Sequence, residues 1–424
     1  MLASELKEEI IAGQKDAELH TLYGERLQAQ KQRYEEALEK FIGLYGDKEI
    51  SVISVPGRSE IIGNHTDHQQ GEVLAASIDL DMIAIVAKRD DGIIKVVSDD
   101  YDIPAIDLMD LSVHKKEVET SQGLIRGVAF KIDEEGGQIG GFDAFITSEV
   151  LQGSGLSSSA AFEVLIGYIF SDLYNQGLLD PVQIARIGQF AENVYFGKPC
   201  GLMDQSACSV GGLVYIDFQN KADPFMERVD VNFADFETAL CITNVHASHA
   251  ELIQEYAEIP FELKMVDEYF GQDVLQGVDE NQFYEQLPAL RQHLKNDRAL
   301  LRAIHVFDEN KRVQRAMEAL KNKDLMAFEN EISASGNSSF KYLQNVYAPQ
   351  DPKNQSLSLA LALSEHILQG RGAHRVHGGG FAGTIQAFVP NDLVELYQTQ
   401  MDQLFGKGAC KVLNIRQFGG IQVF

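Results

Sequence analysis

At 424 residues the chain is too long for one ordinary hydrophobic core, and an apolar content of 45% is enough to fill two domains in close contact. A formal charge of −27 argues against nucleic acid or an anionic membrane as partner, because duplex binding needs a basic face to displace counterions; a local basic patch still suffices for a nucleotide. Cys200, Cys208, Cys241 and Cys410 lack metal-ligand spacing, Met1 to Glu9 lacks the apolar stretch of a signal peptide, and no apolar run approaches membrane-spanning length. The expectation is a soluble cytoplasmic protein with reduced thiols, monomeric or weakly dimeric.

Residues 4 to 43 are rich in Glu, Lys, Gln, Ala and Leu and free of proline, which predicts one or two amphipathic helices with a solvated charged face. Ile50 to Val55 reads as a strand stopped by Pro56-Gly57, and Gly57 to His68 as a polar turn rich in groups that bind ligands. Ile83 to Ala87 and Ile93 to Val97, joined across Asp90-Asp91-Gly92, read as a hairpin. Phe142, Ala144 and Ile146 alternate as a half-buried strand does, and an apolar run from Phe162 to Tyr174 is long enough for several helical turns. Pro181 to Tyr195 is a second helical pattern, ending in a loop that delivers Met203-Asp204-Gln205. Leu213 to Phe218 and Ala239 to Thr243 read as strands, and Glu285 to Leu343 as mainly helical with interruptions at Pro288 and Ser335 to Ser339. Thr384 to Val389 and Ile421 to Phe424 return to β character. The expected division is residues 1–215 with the phosphate loop and residues 216–424.

Between the predicted strand and helix lies Gly153-Ser154-Gly155-Leu156-Ser157-Ser158-Ser159-Ala160. Glycines let backbone approach ligand oxygens, serines can cap the helix, and a helix N-terminus offers N–H donors and partial positive charge to an anion. No Lys follows as a common P-loop requires, and by itself the segment is equally a flexible connection capped by serines.

Three separated motifs change that balance. Pro56-Gly57-Arg58 with Ile62 to Asp67, then Gly153 to Ala160, then Gly378-Gly379-Gly380-Phe381-Ala382-Gly383, resemble in order the three signatures of the GHMP small-molecule kinases, the first of them in its galactokinase form. Ala191-Glu192-Asn193 through Gln205 resembles the segment carrying that branch's catalytic aspartate, and His249 to Tyr256 a sugar-contacting segment. The resemblance implies a two-domain α+β fold, with an N-terminal domain like the second domain of a small-subunit ribosomal protein and a ferredoxin-like C-terminal domain. It implies phosphorylation of galactose at its anomeric hydroxyl by ATP with magnesium.

By the same resemblance Asp204 is the candidate base and Arg58 its partner, compensating charge on the transferring phosphoryl group, a task these residue types suit. Gly153 to Ala160 would hold the nucleotide, and Ser159 and Glu192, hard oxygen donors, the magnesium. Asn64, His65, Asp67, Gly201 and Tyr256 would meet the sugar. Without the resemblance, Asp204 reads as a helix cap, Glu192 as a solvated helix residue and Asp67 as an Asx-turn residue.

Departures bear on the substrate. Galactokinases typically have Glu where this chain has Asn64, a position that contacts the sugar's 6-hydroxyl; Asn keeps hydrogen bonding but loses charge, which opens C6 to a carboxylate as in galacturonate. His68 stands where Tyr is usual, the paired arginines expected soon after Tyr256 are missing, and the chain has no Trp. A kinase for galacturonate, N-acetylgalactosamine or arabinose, and a non-catalytic sugar- and ATP-binding regulator, therefore remain alternatives. His65-Thr66-Asp67-His68 and His246-Ala247-Ser248-His249 would suit a metal-dependent hydrolase, a reading that leaves the phosphate loop and the third motif unexplained.

Overall fold

The computed structural model describes residues 1–99, 101–150, 155–221, 223–246 and 253–424, and side chains throughout these except at 234, 253 and 254. In chain order the elements are α1 (Ala3–Ile11), α2 (Asp16–Tyr23), α3 (Leu27–Tyr45), β1 (Ser51–Ile62), β2 (Glu72–Arg89), β3 (Ile93–Ser98), β4 (Tyr101–Asp107), α4 (Ser121–Glu134), β5 (Gly141–Ser148), α5 (Ser158–Asn175), α6 (Pro181–Phe190), α7 (Met203–Val210), β6 (Leu213–Asp217) and β7 (Phe225–Val229). There follow β8 (Thr238–Asn244), α8 (Ile253–Tyr269), α9 (Glu280–Leu294), α10 (Asp297–Lys321), α11 (Leu325–Ser338), α12 (Ser356–Leu368), β9 (Ala373–His377), β10 (Thr384–Pro390), α13 (Val394–Phe405), β11 (Cys410–Leu413) and β12 (Ile421–Gln422). This is the expected α+β architecture. The strands form one sheet in the order β12-β1-β2-β5-β3-β4, with β6 and β7 continuing from β2, and a second sheet in the order β11-β8-β10-β9.

The first sheet is covered on both faces at β1, β2 and β5, which are buried along most of their length, whereas β4 and β7 are largely exposed. One face, including Ile53, Val55, Ala84 and Val86, shares a core with α4 to α7 and with Leu240, Ile242 and Phe388 of the second sheet. The other, with Val52, Ile83, Ile85 and Phe145, is covered by Leu6, Leu19, Tyr34, Leu38 and Phe41 of α1 to α3, three helices rather than the one or two expected. β5 is thus not half-buried: Phe145 faces α1 to α3, and Asp143, fully enclosed, is ion-paired with Lys48 (2.6 Å) and Arg89 (2.8 Å).

Three local readings are corrected. β1 does not stop at Pro56-Gly57; irregularities between Pro56 and Arg58 and between Glu60 and Ile62 let it run on to Ile62, so Arg58 lies in a strand. β2 and β3 do not pair across Asp90-Asp91-Gly92, because β5 lies between them, antiparallel to β2 and parallel to β3. α9 runs through Pro288 and α11 through Ser335, and the breaks fall instead at Lys295–Asn296 and Asn322–Asp324. Burial of Phe283 and Leu290 on either side of Pro288 outweighs the lost backbone bond.

Candidate active site

β1 carries Arg58 beneath the start of α5, while the first turn of α7 brings Asp204 from the other side. The guanidinium grips the carboxylate bidentately, Nε to Oδ1 and Nη2 to Oδ2, both at 2.7 Å. Its third arm, Nη1, donates to the Gly155 carbonyl at 2.5 Å, and the Arg58 backbone N–H donates to Leu156 O at 3.2 Å. The loop is thereby tied to β1, closely enough that a Cβ on Gly57 would stand 3.0 Å from Leu156 O. Burial pushes the Asp204 carboxyl up, but the Arg58 charge and hydrogen bonds and the Ser157 hydroxyl hold it below the usual aspartate value. Arg58 is buried, whereas the Asp204 side chain is 32% exposed, so a substrate hydroxyl can reach it.

Ser157 precedes α5 in a left-handed conformation (φ 57°) and does not cap the helix as expected; that backbone turns its hydroxyl onto Asp204 Oδ2 instead. With no cap from the Ser157 side chain, N–H groups of the first turn of α5 are left for another acceptor among the described residues. Leu156 and Ala160 are buried anchors. Gly153 and Ser154 lie outside the described residues.

Glu192 sits in a π-helical turn, Ala191–Phe196, that follows α6 without a break. The wider turn aims its carboxylate at α5, where Ser159 Oγ donates to Oε1 at 3.3 Å and Gln205 Nε2 to Oε2 at 2.9 Å. Lys198 Nζ lies 3.2 Å from Oε1. These two hard oxygens beside the helix start fit magnesium. Among the described residues no group of three or more His, Cys, Asp or Glu gathers, so phosphate oxygens and water would complete the coordination shell, and the histidine patterns build no metal centre there. His249 lies outside the described residues.

Sequence reasoning missed Glu163. It is fully buried on α5, its Oε2 accepts from Gln205 Nε2 at 3.0 Å and its Oε1 has no partner among the described residues. Burial first, then the Glu192 charge, raises its carboxyl well above the usual range. The signal was available, since Glu163 is an acid at the head of the apolar run from Phe162.

The five expected sugar residues divide into two groups. Asp67 and Gly201 adjoin, a Cβ on Gly201 falling 3.0 Å from Asp67 Oδ2, and both line a cavity of about 240 Å³ with His68, Cys200 and Leu202. Asn64, His65 and Tyr256 instead turn polar atoms onto the glycine-rich third motif. Asn64 Nδ2 donates to Gly378 O (2.6 Å) and Glu60 Oε1 (3.1 Å), and its Oδ1 accepts from Asn345 Nδ2 (2.8 Å). His65 Nε2 donates to Gly379 O (3.0 Å), and Tyr256 Oη to Gly380 O (2.6 Å). The Asn64 amide is 1% exposed, enclosed by these partners rather than open toward a sugar C6. Glycine leaves three successive carbonyls uncovered, and a Cβ on Gly380 would stand 2.1 Å from Asn345 O. The strand ends flanking the third motif also reach the loop: a Cβ on Gly155 would lie 3.3 Å from both His377 Nδ1 and Thr384 Oγ1.

Comparison with known proteins places this geometry. The GHMP kinases N terminal domain matches over residues 123–212, and the galactokinase galactose-binding signature over residues 39–88. A galactokinase of Glaesserella parasuis serovar 5 (strain SH0165) is 33% identical over 83% of this chain and 88% of its own length, and one of Streptomyces coelicolor is 29% identical over 88% and 93%. The crystal structure of Lactococcus lactis galactokinase complexed with galactose superposes with a TM-score of 0.74 at 26% identity, covering 91% of this chain and 98% of that one. A mevalonate kinase structure at 15% identity (TM-score 0.60) shares the fold. With a relative one-third identical along most of both chains and both signatures present, the chain belongs to the galactokinase family of sugar kinases.

Proposed function

We propose that this chain phosphorylates galactose at its anomeric hydroxyl with ATP, releasing galactose 1-phosphate and ADP. The observation that carries the reading is the bidentate Arg58–Asp204 pair set against the start of α5. Asp204 accepts the proton of the anomeric hydroxyl as that oxygen attacks the γ-phosphorus; the bond from phosphorus to the β,γ-bridging oxygen breaks and ADP leaves. Arg58 keeps Asp204 ionised and offsets the charge developing on the phosphoryl oxygens. The N–H groups opening α5, with the loop from Gly153 to Ala160, cradle the phosphates.

Ser159 and Glu192 would hold magnesium, which when bound neutralises phosphate charge. The sugar rests against Asp67 and Gly201, with Asn64, His65 and Tyr256 closing the pocket from the glycine-segment side. We divide the chain at residue 215, the part before it carrying the phosphate loop.

The test is ADP release with ATP and magnesium across galactose, N-acetylgalactosamine, galacturonate, arabinose and glucose. Preference for galactose supports the reading. Preference for another sugar keeps the mechanism and moves the substrate, and no ADP with any of them favours a binding protein without turnover.

A further inference from the structure

The turn from Gly63 to Asp67 is gripped from behind by a helix more than 200 residues further along the chain. Glu309, fully buried on α10, accepts from the backbone N–H of Gly63 (3.1 Å) and of Asn64 (3.3 Å) on Oε1, which also takes Ser335 Oγ at 2.5 Å; Arg312 Nε binds Oε2 at 2.7 Å. One turn earlier on α10, His305 Nε2 stands 3.0 Å from the Asn64 carbonyl and Nδ1 2.9 Å from Ser338 Oγ. A carbonyl only accepts, so Nε2 carries the proton and Nδ1 receives the Ser338 hydroxyl. That hydroxyl oxygen in turn accepts from Arg312 Nη2 at 2.9 Å.

Both sides of the Asn64 peptide backbone are therefore fixed from α10, and the chain leaves this clamp into His65 at φ 62° and the short 3₁₀ turn starting at Asp67. Burial pushes the Glu309 carboxyl up, but Arg312, His305 and Arg375 hold it down at about 2, so the clamp is anionic throughout the working pH range. A carboxylate on two backbone N–H groups is a rigid fixture, and a turn so held cannot swing its side chains freely.

We infer that Glu309 and His305 are positioning residues for sugar recognition, setting the turn that presents Asp67 to the sugar cavity and seats His65 against the glycine segment, without touching the substrate themselves. The inference rests on the galactose reading above and adds to it the part of the chain that holds the pocket's shape. It separates the two substrates: the α10 clamp bonds the sugar turn, whereas the phosphate loop is tied to β1 and to Asp204. Loosening the clamp should weaken sugar binding and leave ATP binding alone.

The experiment measures kcat and both KM values for wild type, His305→Phe, His305→Gln and Glu309→Gln, with galactose binding by calorimetry without nucleotide. His305→Phe keeps the ring's bulk but abandons the Asn64 carbonyl, and should raise the galactose KM and dissociation constant about tenfold while the ATP KM stays within about twofold. His305→Gln restores an N–H donor and should recover most of the loss. Glu309→Gln should show the same split, more strongly; it leaves Arg312 buried without its counter-charge, and if that prevents folding the His305 pair decides. Galactose constants unchanged in folded variants, or galactose and ATP constants rising together, overturn the inference while leaving the reaction intact. Wild-type protein that neither binds nor phosphorylates galactose overturns the galactose reading itself, and this inference with it.

Discussion

The transfer side of the site and its sugar side are built differently. On the transfer side, Arg58, Asp204 and Ser157 are joined by a few charge-assisted bonds, and Asp204 remains 32% exposed. On the sugar side, Asn64 is 1% exposed and the turn around it is fixed from three directions, by α10, by Asn345 and by the glycine segment. A proton acceptor must meet substrate and so stays reachable, whereas a recognition turn gains from rigidity. Mutations on the transfer side should therefore cost turnover, and those on the sugar side affinity and stability.

The largest effect tests that division directly. Asp204→Asn keeps shape but cannot accept the proton, so kcat should fall about a thousandfold while galactose and ATP still bind. ADP release and calorimetry check this, and near-wild-type turnover would remove Asp204 from its role. Arg58→Ala should lower kcat about a hundredfold and also move the pH profile. Asp204 sits below its usual value because Arg58 outweighs burial; without the guanidinium burial prevails, the carboxyl rises, and the acid limb of kcat shifts to higher pH. An unshifted limb would assign Asp204's ionisation to other groups.

On the sugar side, Gly63 adopts φ 116°, and a Cβ there would stand 2.7 Å from both Glu72 O and Val73 Cα. Gly63→Ala should cost about 1–3 kcal/mol of stability, read as a lowered Tm. Gly378, also at positive φ but with nothing within 4 Å of its Cβ position, gives the control: Gly378→Ala should lose less. Equal losses would mean that backbone conformation, not crowding, sets the cost on this side.

The same contrast governs what the sequence discloses. α5 and the pairing of Arg58 with Asp204 were legible because those residues fall in short motifs. The clamp was not: Glu309, His305 and Ser338 lie in a long helical stretch whose charges look solvated until the tertiary contacts are known. β1 was cut short for a related reason, since Pro56-Gly57 reads as a breaker and only the bulged pairing with β2 shows how a strand accommodates it. The β2–β3 pairing failed because a non-local strand, β5, wins the space between them, which no local pattern encodes.

Glu163 gives the smallest expected effect, and it tests where the two sides meet. Burial and, after it, the neighbouring Glu192 charge favour the protonated form, so the folded carboxyl titrates above the unfolded one, which lies near 4.3. The folded state then holds one more proton across that interval. The stability this contributes is fully present below the unfolded value and is lost as pH rises through the folded one. Glu163→Gln is neutral at every pH and keeps an oxygen for Gln205, so its Tm should match wild type near pH 4 and fall less steeply on the alkaline side. Parallel Tm–pH curves would show that Glu163 is ionised in the folded protein, and two carboxylates would then share the Gln205 amide beside the phosphates. That site would favour cations over ATP alone, whereas a neutral Glu163 adds no charge there.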